Sequence, residues 1–153
     1  MFLIVAWGTF IGGIAYSHLV YFPAYLSDLP NSAVVVNGPY GLHEGIFWAI
    51  IHPILIISLI VTMTMNWKVP GRRKLIGITI ILYLLALVAT AFYFVPELMA
   101  FSTSQKSPVP PAEWLARGIR WQQLSWIRGA LMYVGMLPLL IALASPSDKH
   151  ESV

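Results

Sequence analysis

Apolar positions in this chain come in four unbroken runs, and the polar positions collect between them. The runs cover about 2–26, 45–67, 75–96 and 119–144. Each matches the roughly 20 residues that an α-helix needs to cross ~30 Å of hydrocarbon. None shows the period-two alternation of a membrane barrel strand, whereas a helix satisfies its own backbone polar groups in lipid. The pattern predicts an all-α membrane protein, an antiparallel four-transmembrane-helix bundle made by one domain, 1–153. External loops are expected at 27–44 and 97–118. No internal repeat marks a second domain. The first run lacks a basic leading segment and a small-residue cleavage site, so it reads as a span rather than a signal peptide.

Composition sharpens this reading. The chain has 58% hydrophobic and 10% charged residues, with a mean hydropathy of +0.76. Lys68, Arg72, Arg73 and Lys74 crowd the turn between the second and third runs, while Ser27–Glu44 has no Lys or Arg. The positive-inside rule then puts that turn and both termini in the cytoplasm, with Lys149 adding to the inner side of a cell inner membrane. Lys106, Arg117 and Arg120 pull weakly the other way. The net charge of +3 follows from this asymmetry and gives no nucleic-acid surface. Without a cysteine, disulfides, thiolate metal sites and thiol relays are excluded.

The loops carry their own signals. Pro30, Asn31, Asn37, Gly38, Pro39 and Gly41 make the first a turning segment. Pro96 opens the second, and Pro108, Pro110 and Pro111 lead into Glu113, so the last helix is expected to begin near Ala112, outside the membrane. Trp114, Trp121 and Trp126 would mark the outer headgroup belt and Trp67 the inner one.

Two histidines stand alone inside apolar runs. His18 lies about eight residues before the end of the first and His52 about seven after the start of the second. At ~1.5 Å per residue, antiparallel helices bring them to nearly one depth. Helical spacing aligns His18 with Tyr21 and Tyr25, Glu44 with Trp48 and His52, and Trp121 with Ser125, Arg128 and Met132. On the third run Thr79, Tyr83, Ala86, Thr90, Tyr93 and Glu97 form one stripe. His18, His52, Tyr93 and Arg128 are therefore expected to converge in the outer half, with Glu44 and Glu97 above them. Ionisable groups at such depth usually face a bundle interior and serve a function.

Each has a plainer reading. His18 can be a neutral imidazole bonded to a neighbouring helix. His52 can help satisfy the Ala49 carbonyl that Pro53 frees. Arg128 can snorkel to headgroups. Glu44 and Glu97 can be ordinary exposed helix ends, and the tyrosines and tryptophans interfacial anchors. Gly8 and Gly12 give a small-xxx-small spacing for close helix approach, within the bundle or between copies. Pro23, Pro53, Pro96 and Pro138 are expected to kink their helices.

Three stretches resemble the anthrone oxygenase-like membrane proteins, four-helix proteins of this length. They are Tyr16–Leu26 (YSHLVYFPAYL), Phe94–Phe101 (FVPELMAF) and Arg120–Leu131 (RWQQLSWIRGAL). Trp121 and Arg128 match the family's Trp and Arg at the opening of the last span. Glu97 and Leu98 stand where that family often has asparagines, and Ser125 where it often has a histidine.

The resemblance implies oxidation of an activated aromatic or phenolic compound by O₂. A neutral histidine would take a proton, because imidazole titrates near neutral pH. Arg128 would stabilise the anion and Tyr93 would orient the ring. A competing expectation is a cofactor site. His18 and His52 would ligate a haem b, or a transition metal would be held by His18, His52, Glu44 and Glu97. The third is a non-catalytic accessory subunit with a homo-oligomeric or membrane-complex partner. The lipid bilayer and a small apolar aromatic substrate complete the expected partners.

Overall fold

The computed structural model describes residues 1–145; Lys149 lies outside them. Among the described residues every element is helical. Four helices are long and apolar enough to cross a membrane: α1 (Phe2–Leu26), α2 (Gly45–Met65), α3 (Pro70–Ser102) and α4 (Pro111–Ala144). This is a multi-pass membrane protein.

Local chemistry sets the ends. Asn66 closes α2 with its side-chain amide on the Thr62 carbonyl, 2.8 Å away. Val69 is extended and Pro70 occupies the first turn of α3, where a missing N–H costs nothing. Pro111 opens α4 in the same way.

Within the segment 97–118, α3 runs on to Ser102 and α4 begins at Pro111, next to the expected Ala112. A helix ordinarily stops or kinks before a proline because the ring strikes the carbonyl four residues back. Here the turn ahead of Pro96 widens into a π-helix, Thr90–Phe94, and the helix continues. α1 does the same, with a π turn at Ser17–Tyr21 just before Pro23. In each, the π turn opens on a hydroxyl that donates to the carbonyl four residues back. Ser17 bonds Gly13 at 2.9 Å and Thr90 bonds Ala86 at 2.7 Å. A π turn adds one residue and so rotates everything beyond it.

α1 packs on α2, α2 on the Pro70–Ala89 part of α3, α3 on α4, and α4 back on α1. Lipid supplies no hydrophobic drive between helices, so close packing and cross-helix hydrogen bonds hold them. Trp7 donates to the Met132 carbonyl at 3.1 Å, Thr79 to Gly135 at 2.9 Å and Trp121 to Phe94 at 3.0 Å. Glycines on α4 allow the approach. A Cβ on Gly129 would lie 3.1 Å from Ile14 and 3.6 Å from the His18 ring, and one on Gly135 would lie 3.3 Å from Trp7.

Two apolar clusters result. One holds Trp7, Phe10, Leu55, Ile76, Tyr83 and Met132. The other, at the end with the two longer loops, holds Tyr25, Phe94, Phe101, Trp114 and Trp121. Residues 27–44 fold over that end as turns and one short 3₁₀ helix, Asn31–Val35. Asn37 ties them to the Ser102 carbonyl at 2.7 Å, and Leu29 and Ala33 are buried beneath.

Candidate functional site

Where the two clusters meet, the helices line a partly open cavity of about 1180 Å³. Its wall is mostly apolar, with Phe10, Phe22, Trp48 and Met132 contributing area. The polar groups among the lining residues are Ser17, His18, Glu44, His52, Tyr83, Thr90 and Arg128, with Tyr21, Tyr25, His43 and Ser102 toward the loop end.

Arg128 is fixed by two hydroxyls. Nη1 donates to Thr90 Oγ1 at 2.8 Å and Nη2 to Ser125 Oγ at 3.0 Å. The guanidinium also lies over the Phe94 ring, 4.2 Å from its centroid. Among the described residues no carboxylate lies within ion-pair distance of it; the one ion pair is Arg117–Glu97. A cation is thus held at the wall of an apolar cavity without an anion bonded to it.

The hydrogen bonds assign their own protons. The Ile14 carbonyl only accepts, so His18 Nδ1, 2.8 Å away, carries the hydrogen. Nε2 then accepts from the Ser125 hydroxyl at 3.0 Å, leaving the serine oxygen to receive Arg128. Thr90 likewise donates backwards to Ala86 and accepts from Arg128. His18 is 1% exposed and both its nitrogens are engaged. Its contacts are those of a neutral imidazole bonded to a neighbouring helix, and it positions Arg128 through Ser125.

His52 is different. Nδ1 meets Tyr83 Oη at 2.7 Å, and Nε2 has no partner among the described residues. With the proton on Nδ1, the imidazole donates to the tyrosine and keeps a basic lone pair on Nε2. Phe10 and Trp48 pack on the ring, at 5.6 and 5.8 Å. This pair on the cavity wall is able to take or return a proton.

Glu44 stands at the N-cap position of α2, and its carboxyl accepts from the Ser17 hydroxyl on α1. The Ser17 hydroxyl faces both the Gly13 carbonyl and this carboxyl, and its single hydrogen serves the two acceptors. Burial pushes the Glu44 carboxyl up to about 7, against the opposing attraction of Arg128. A carboxyl raised on folding binds more protons than its unfolded counterpart between 4.5 and about 7, so stability falls as pH rises through that window. The melting temperature in detergent is expected to drop across it. Glu44→Gln is expected to flatten the drop, and an unchanged slope in that variant would assign the dependence to another group.

Two residues of the expected constellation are elsewhere. Tyr93 and Glu97 do not line the cavity. Tyr93 packs with the Phe94 ring at 5.1 Å, and Glu97 pairs with Arg117 at 2.8 Å. The extra residue of the π turn is the cause: beyond it the stripe moves on by one, and Phe94 and Leu98 reach the cavity in their place. Spacing places Tyr83, Thr90 and Ser125 on the right helix faces but not in the expected constellation, and it does not single out Ser17 at all. Ser17 and Thr90 share a signal, a hydroxyl six positions before a proline.

The chain matches no known family, curated protein or solved structure.

The expected cofactor sets do not fit this donor arrangement. Bis-imidazole ligation of haem b needs a free nitrogen on each ring, and both of His18's are in use. Glu97 is committed to Arg117, and among the described residues no three histidine or carboxylate side chains come together as a transition metal requires.

Proposed function

We propose that this chain crosses a cell inner membrane as an antiparallel four-helix bundle, termini and basic turn inside, and oxidises a lipophilic phenol or related carbon acid with O₂. The observation that carries the reading is Arg128, a fixed cation on an apolar cavity with no bonded carboxylate. Such a group favours a ligand that is an anion or becomes one as it reacts, and it does so most strongly where water is scarce.

The chemistry then follows from the neighbours. The ligand oxygen sits on Arg128, and His52 Nε2 takes a proton from the activated carbon or phenol as negative charge flows to the guanidinium. Tyr83 holds the imidazole through Nδ1. For an activated methylene, the carbanion passes electrons to O₂ and a C–O bond forms. The hydroperoxide recovers the proton from His52 and loses water to leave a carbonyl. One O₂ is consumed and one water released for each CH₂ oxidised. The likeness of Arg120–Leu131 to the anthrone oxygenase-like proteins supports the oxygen step, and the cavity supports the apolar ligand.

The test is oxygen uptake with anthrone, a phenolic carbon acid in its enol form, by the purified protein in mild detergent. His52→Gln is expected to lower turnover by about a hundredfold or more while anthrone binding changes little, the range of a lost general base. Tyr83→Phe, which keeps the ring and removes the hydroxyl, is expected to cost about tenfold. Undiminished uptake in His52→Gln would rule the proton step out. The visible spectrum of the same sample is expected to show no haem band.

A non-catalytic accessory role is favoured by one observation. Gly8 and Gly12 have open space around them on α1, which leaves room for a partner helix. Leucine at both positions is expected to disrupt assembly with such a partner and leave anthrone binding intact.

A further inference from the structure

The cavity wall has a side as well as an end. Ala49 and Pro53 of α2, with Ala91 and Val95 of α3, line the cavity and are exposed, and Leu87 lines it beside them. Ala49 and Pro53 lie four and eight residues into α2, so at ~1.5 Å per residue this seam is about 6–12 Å inside the helix start, within the apolar zone. None of the five carries a polar side chain. Elsewhere the two helices are joined: His52 bonds Tyr83, and Met63 covers Gly77. The packing of α2 on α3 is with Pro70–Ala89, and the seam opens where the π turn carries α3 onward.

We infer that the ligand enters and leaves sideways from the bilayer through this seam, and that it is an amphiphile. A weakly acidic head, phenolic or enolic, reaches Arg128, while an apolar chain lies out through the seam among the acyl chains. Polar groups line the interior of the cavity and its loop end, and none lines the seam. The volume, about 1180 Å³, exceeds the ~300–1,000 Å³ of ordinary small-molecule pockets and leaves room for more than a bare ring. A chain that emerges in lipid gives up no apolar environment, so length is tolerated there. Toward the loop end the lining includes Leu42, His43, Glu44 and Ser102, so a chain directed there would pass polar groups that the seam does not present. The head assignment rests on the function proposed above; the seam and the chain do not.

The test uses the full chain in lipid nanodiscs, with binding of 4-methylphenol and 4-dodecylphenol measured per mole of lipid. Wild type is expected to bind both. Ala91→Trp fills the seam from α3 and is expected to weaken dodecylphenol by about tenfold or more while methylphenol stays within about twofold. Arg128→Gln is expected to lose both. Ala49→Trp repeats the block from the opposite wall and decides the matter if the first variant fails to bind methylphenol and so has not folded. Dodecylphenol binding that survives both tryptophans, with Arg128 still required, would overturn the seam and leave the head site standing. A wild type that binds neither phenol would overturn both readings.

Discussion

Arg128→Gln is expected to reduce ligand affinity and turnover by about 10²–10³ while leaving the melting temperature unchanged or raised. The two halves of this outcome come from different physics. A fixed donor aimed at developing negative charge is typically worth about 3–4 kcal/mol in a dry site, which sets the loss. Stability moves the other way because the cation is poorly hydrated and has no bonded carboxylate to compensate it. Its removal orphans little: Ser125 keeps His18, and Thr90 keeps the Ala86 carbonyl. Lysine should be a poor substitute, since one ammonium on a flexible stem does not reproduce a planar fork spanning two hydroxyls. Paired binding isotherms and melts on one preparation would decide it. A large fall in melting temperature with binding retained would make Arg128 a structural residue and remove the main support for the proposed chemistry.

Trp121→Ala is expected to be the most destabilising single change, by about 3–5 kcal/mol, the usual range for deleting a buried tryptophan. The side chain is 0% exposed and packs against Phe22 and Phe94 at 4.5 and 5.5 Å. Its indole N–H also ends the π turn of α3 by donating to the Phe94 carbonyl. Alanine therefore leaves a void and removes a cross-helix hydrogen bond in the layer beside the cavity. Trp121→Phe keeps most of the volume and is expected to cost only about 1 kcal/mol, the worth of the hydrogen bond. Unfolding by SDS titration in mixed micelles would separate the two. Equal losses would mean that the hydrogen bond, rather than the packing, carries the effect.

The four helices were legible because about twenty apolar residues in a row have one economical use. Side-chain facing was legible only while the helices kept 3.6 residues per turn. On α3 the stripe through Thr79, Tyr83, Ala86 and Thr90 is the observed inner face. Past Thr90 the same arithmetic selects Tyr93 and Glu97, one residue short of Phe94 and Leu98. Nothing in the apolar pattern announces a π turn; the paired hydroxyl and proline at Ser17/Pro23 and Thr90/Pro96 do. The His18–Ser125–Arg128 chain was hidden for another reason. It depends on Gly129 letting α1 approach α4, which is a property of the pair of helices and of neither sequence alone.

The two π turns have a consequence beyond geometry. Each opens on a hydroxyl, and each of those hydroxyls holds a group of opposite electrical character: Ser17 the Glu44 carboxyl, Thr90 the Arg128 guanidinium. The cavity is therefore polarised, with a permanent positive pole and a second pole whose charge is set by pH near 7. A molecule with a dipole is turned by that field before it touches either wall. When Glu44 ionises the field steepens, so the same carboxyl that weakens the fold would tighten the alignment of whatever lies between the poles.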